Sequence, residues 1–97
     1  MAWIVDEYLG SLVAVNTEGL KSVVVSEIEK DDGTKKVTVV FTYRSDNEGM
    51  IFKRETTAKL ENVFEVLMNV IRAGKDIVIT FDDIIERAEL MSKRGEK

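Results

Sequence analysis

Two runs rich in branched residues, Val23–Ile28 and Val37–Tyr43, flank Asp31-Asp32-Gly33-Thr34, and this pattern constrains the fold more than any other. Asp-Gly favours a two-residue type I′ turn because both central positions need positive φ. With Asp32-Gly33 at the tip, Ile28 would face Val37, Ser26 would face Val39 and Val24 would face Phe41. On the other face Glu29 would meet Lys36, Glu27 Thr38, Val25 Val40, and Val23 Thr42. Apolar pairs then collect on one face and an opposite-charge pair falls on the other, as a half-buried sheet requires. A second turn at Asp46-Asn47 pairs Tyr43 with Met50, Phe41 with Phe52 and Val39 with Arg54, which completes a three-stranded meander.

Around the meander the periodicity changes. Ile4-Val5, Tyr8-Leu9 and Leu12-Val13 recur every four residues, a helical stripe, although Gly10 in its middle costs about 1 kcal/mol relative to Ala. After the meander, Thr56 or Thr57 caps a helix running to about Ala73, with Leu60, Val63, Phe64, Leu67, Val70 and Ile71 on one face and Gly74 at its end. Ile77–Phe81 is a continuous apolar run, the pattern of a strand covered on both faces. It joins the meander's sheet by a right-handed crossover in this reading. Asp82 caps a last helix that turns Ile84, Ile85, Ala88 and Met91 inward, and residues from about 92 to 97 form a solvated tail. The expected fold is therefore α+β, in the order αβββαβα, as one two-layer domain over residues 1–97. The helix, three strands and helix over about residues 3–73 are similar in order to a double-stranded-RNA-binding domain. That family opens its second helix with a lysine cluster, where Thr57-Ala58-Lys59-Leu60-Glu61 holds one lysine.

Chemistry is bounded by omission. The 97 residues include no histidine, cysteine or proline. Catalytic machinery built on histidine or cysteine, zinc fingers and iron–sulfur sites are closed to this chain acting alone. No enzyme activity, cofactor or small-molecule ligand is expected. The acidic pair Asp82 and Asp83, after an apolar strand, is the one arrangement suited to a hard cation such as Mg²⁺, with Glu48, Glu55 and Glu86 as further oxygen donors. Against it stands the simpler reading, a carboxylate cap at the positive end of a helix dipole. No run approaches the roughly 20 apolar residues of a membrane span, and Asp6 and Glu7 interrupt any leader-like start, so a cytoplasmic location is expected. Glu and Lys together number 20 and glutamine is missing, a thermophile tendency, while the missing proline points the other way.

Charge is unevenly spread. Residues 1–34 carry a net −5, residues 35–59 a net +3 and residues 60–97 a net −2. The basic middle offers Lys35, Lys36, Arg44, Lys53 and Arg54 to nucleic-acid phosphates, or to the chain's own carboxylates. The expected outer face of the meander carries Val23, Val25, Val40 and Ile51 side by side, too apolar for water. Either the first helix covers them or another copy of the chain does. The leading functional expectation is thus a non-catalytic interaction module working as a homo-oligomer. A nucleic-acid-associated protein is the alternative, and a Mg²⁺-dependent enzyme centred on Asp82 and Asp83 comes last.

Overall fold

The computed structural model describes residues 2–8, 10–32, 34–43, 49–73 and 76–95. The elements are β1 (Ala2–Tyr8), β2 (Ser11–Asn16), β3 (Leu20–Glu29), β4 (Lys35–Tyr43), β5 (Gly49–Thr56), α1 (Leu60–Arg72), β6 (Ile77–Thr80) and α2 (Phe81–Gly95). They form two three-stranded sheets, a first ordered β2-β1-β6 and a second ordered β3-β4-β5. From β3 onward the order βββαβα is the expected one, and the whole is an α+β domain.

The first element is not a helix. Ile4 and Asp6 are buried on one face of β1 while Trp3 and Glu7 are exposed on the other, the period of a strand. Tyr8 opposite Ser11 closes the β1–β2 hairpin, and Gly10 holds φ +80° there, a value glycine adopts without strain. The strand period is hidden in the sequence because a carboxylate, Asp6, occupies an inward position. With this helix gone, the likeness in order to a double-stranded-RNA-binding domain is gone too.

The β3–β4 hairpin forms, but one residue away from the expected register. Lys30 N–H donates to the Thr34 carbonyl at 2.8 Å, so three residues, not two, make the loop. The Asp32 carboxylate accepts the Thr34 N–H at 3.0 Å and the Thr34 hydroxyl at 2.6 Å, a local side-chain turn that competes with type I′ geometry. Glu29 therefore faces Lys35 rather than Lys36, Val25 faces Val39, and Val23 faces Phe41. A slip of one exchanges the faces of a strand. Val23 and Val25 accordingly pack against the core, while Val24 and Ile28 face solvent. The β4–β5 register differs by two, Val39 facing Phe52 and Phe41 facing Met50, which keeps every side chain on its expected face.

β6 also departs from expectation. It runs parallel to β1, Ile4 beside Ile79, and so belongs to the first sheet rather than to the meander. Ile79 is buried but Val78 is 73% exposed, so only one face is covered. The core lies between the inner faces of both sheets and the two helices, centred on Ile4, Val37, Val39, Phe41, Phe52, Leu67, Phe81 and Ile84. Phe52 packs edge-on against Phe41 and tilted against Phe81, with ring centroids 5.5 and 5.4 Å apart, joining meander to α2. Ile84, Ile85 and Ala88 point inward as expected.

Helix capping falls to residues the sequence did not nominate. Thr80, not Asp82, caps α2, its hydroxyl accepting the Asp83 N–H at 3.1 Å. Neither Thr56 nor Thr57 caps α1, whose N-cap position is Lys59 without a side-chain cap of its own. Instead Ser92 Oγ, from α2, accepts the Lys59 N–H at 2.9 Å and an Asn62 amide hydrogen at 2.8 Å, and donates to the Ala88 carbonyl at 2.9 Å. Ser92, assigned by sequence to a solvated tail, is buried inside the helix pair. The expected α1 cap Gly74 lies outside the described residues.

Candidate functional site

Arg54 is the most connected side chain among the described residues. Its Nη2 donates to Asp6 Oδ1 at 2.7 Å, Nε donates to Asp82 Oδ1 at 2.7 Å and Nη1 donates to the Lys53 carbonyl at 3.0 Å. The guanidinium lies 5.3 Å from the centre of the Phe81 ring. Partial burial alone would lower its pKa, but the bonds and charges of Asp6 and Asp82 outweigh burial and raise it. One side chain thus ties β1 of the first sheet, β5 of the second and the start of α2. Two residues read from sequence as ligands, Arg54 for phosphate and Asp82 for a metal, are here each other's partners. No group of three or more acidic side chains placed to hold a metal ion occurs among the described residues. Asp83 is exposed in the first turn of α2.

The other basic residues spread over the meander. Lys35 lies 3.8 Å from Glu27, and Lys30 pairs with Glu55. Lys36 and Lys53 make no ion pair among the described residues, and both belong to the outer face of the meander. Arg44 and Glu48 lie outside the described residues.

Two sheet faces lack a covering layer among the described residues. On the meander the row Val24, Val40 and Ile51 crosses all three strands, between a row of Ser22, Thr42 and Gly49 and one of Ser26, Thr38 and Lys53. Val40 and Ile51 hold the outer positions the sequence assigned them, whereas Val23 and Val25 do not. The first sheet presents the more apolar face. Its rows are Val78, Trp3 and Asn16, then Thr80, Val5 and Ala14, then Glu7 and Leu12. Leu12 is 81% exposed and Trp3 39%. Glu7 is the only charged residue in these rows. Sequence periodicity missed this face because the segment was read as the cover for another one. The signal that could have found it is the alternation Trp3, Val5, Glu7 against Ala2, Ile4, Asp6.

Tyr43 is partly buried against the core. Its hydroxyl donates to the Asn16 carbonyl at 2.8 Å, and burial pushes the phenol pKa above its usual range. An open groove of about 390 Å³ between the helices has aliphatic walls from Val66, Val70, Ile77, Leu90 and Met91, with Arg87 and Arg94 beside them. No described helix is long and apolar enough to cross a membrane. No protein-family model, curated protein or solved structure matches this chain.

Proposed function

We propose that the chain is a non-catalytic interaction module that assembles with further copies of itself through the first sheet. The observation that supports this reading is the face formed by Trp3, Val5, Leu12, Ala14 and Val78, with Glu7 its lone charge. Tryptophan enrichment and charge depletion mark the centres of protein interfaces, and symmetric pairs are the commonest assemblies. The meander face is less suited, because polar rows flank its single apolar row. The chain's net charge of −4 favours a second copy meeting it at this nearly uncharged surface rather than across its acidic parts.

Sedimentation equilibrium on the wild type, Leu12→Asp and Val40→Asp tests the assignment. Wild type is expected to self-associate below ~100 µM, corresponding to about −5.5 kcal/mol. Leu12→Asp weakens association at least about tenfold, the effect of losing roughly 1.4 kcal/mol, while Val40→Asp leaves it unchanged. A wild type that stays monomeric throughout this range overturns the proposal. Loss of association in Val40→Asp alone would move the contact to the meander.

A further inference from the structure

We infer, resting on that assembly reading, that two copies join edge to edge through β2, antiparallel about a two-fold axis at Val13, making a continuous six-stranded sheet. Among the described residues β2 is an edge strand that pairs only with β1. The phase of its ladder follows from Thr17 N–H donating to the Ala2 carbonyl at 2.9 Å. Residues 15, 13 and 11 then exchange bonds with β1, and Leu12, Ala14 and Asn16 turn their amides and carbonyls outward. The Asn16 carbonyl shows this directly, since the Tyr43 hydroxyl reaches it from outside the sheet. Leu12 and Ala14 remain with open donors and acceptors on an exposed strand.

Natural edges are guarded by charge, proline or a cover. The edge strand β5 carries Lys53, Arg54 and Glu55, β3 carries Lys21, Glu27 and Glu29, and the uncharged edge β6 is only four residues long, but the six residues Ser11-Leu12-Val13-Ala14-Val15-Asn16 have no charge. An unguarded edge in a chain otherwise rich in charge is a pairing surface. The pairing register is also determined. Placing Leu12 opposite Ala14 of the second copy, and the reverse, satisfies the open groups of both residues and leaves Val13 facing its own copy. A shift that puts Leu12 opposite Asn16 would compete with Tyr43 for the Asn16 carbonyl. Like charge does not oppose the contact: the two Glu7 side chains would sit three strand spacings apart, about 14 Å, beyond the screening length of about 8 Å.

The missing cysteines make the register readable. At a non-hydrogen-bonded antiparallel pair the Cα atoms lie about 4.5 Å apart, within disulfide range. Val13→Cys is expected to give a disulfide-linked dimer on mild oxidation, and Leu12→Cys, Ala14→Cys and Val78→Cys are not. Ala14→Pro removes an outward N–H without touching the β1 ladder, so it should keep the wild-type far-UV spectrum while weakening the dimer about 100-fold. Cross-linking through Leu12→Cys or Ala14→Cys in place of Val13→Cys overturns the register. Cross-linking through Val78→Cys, with Ala14→Pro still dimeric, means the outer faces stack; it overturns edge pairing while the assembly reading stands. A monomeric wild type overturns both and leaves β2 to a strand from a different protein.

Discussion

The side chains that matter most to this fold are polar ones in apolar positions. The Asp6 side chain is 8% exposed, and its charge is tolerable there because Arg54 meets it with a charge-assisted bond and the Glu7 N–H donates to it at 2.8 Å. Tyr43 acts similarly at the junction of β2 and β4, its ring among core residues and its hydroxyl on a backbone carbonyl. Its phenol has a raised folded-state pKa because burial disfavours tyrosinate. The contribution is therefore fully present below the unfolded value of about 10 and is lost as pH rises through the folded pKa. Tyr43→Phe should cost about 1 kcal/mol at pH 8, and the gap to wild type should narrow above about pH 10. Urea unfolding of both proteins from pH 8 to about pH 11 reads this gap. A gap constant across that range would show that Tyr43 titrates alike in the folded and unfolded chains.

At the level of elements, the two helices are capped by the tertiary structure rather than by their own first residues. α1 begins without a side-chain cap at Lys59 and borrows the Ser92 hydroxyl from α2. The same oxygen serves Asn62 and the Ala88 carbonyl, so α1 and α2 order each other. Ser92→Ala leaves the Lys59 N–H and an Asn62 amide hydrogen without that partner in a part-buried site. It should cost about 2 kcal/mol, the upper end of the range for a lost cap. Replacing Ser11, on an exposed strand position, costs under about 0.5 kcal/mol and serves as the comparison. Equal stability of the two variants in chemical denaturation would remove Ser92 from this role.

For the molecule as a whole, α2 is the element that makes two sheets one structure. It packs on β1, β5 and β6; its first residue directly follows β6 of the first sheet, and it reaches the second sheet through Phe81, which packs on Phe52, and Asp82, which pairs with Arg54. The single tryptophan, Trp3, reports on the first sheet, whereas far-UV circular dichroism weighs the helices and the meander. The two probes should trace one coincident transition in wild type. Arg54→Met, which leaves Asp6 buried without its charge partner, should lower stability by about 3 kcal/mol, the low end for a broken buried pair because Arg54 is itself 30% exposed. Separate midpoints for the two probes in wild type would mean that the sheets unfold independently.

The sequence by itself determined the meander, the helix after it, β6 and α2, because each has a period or turn signal contained in neighbouring residues. It also determined the inward residues of α2, and the chemistry closed to a chain without histidine and cysteine. The site was only partly legible. Excess apolar surface on a sheet was expected at Val23, Val25, Val40 and Ile51; Val40 and Ile51 lie on the outer face of the meander, Val23 and Val25 face the core, and Trp3, Leu12 and Val78 were not foreseen. Tertiary structure alone decided that the first segment is a hairpin, since Asp6 can face inward only where Arg54, distant in sequence, arrives to pair with it. Tertiary structure alone also decided that β6 joins that hairpin. A partner for a parallel strand is chosen by packing across the whole chain, and no local pattern encodes it. The one-residue slip of the β3–β4 register lies between these cases. It turns on a single carboxylate, Asp32, bonding to Thr34 instead of leaving a two-residue turn, and it exchanges the faces of all of β3.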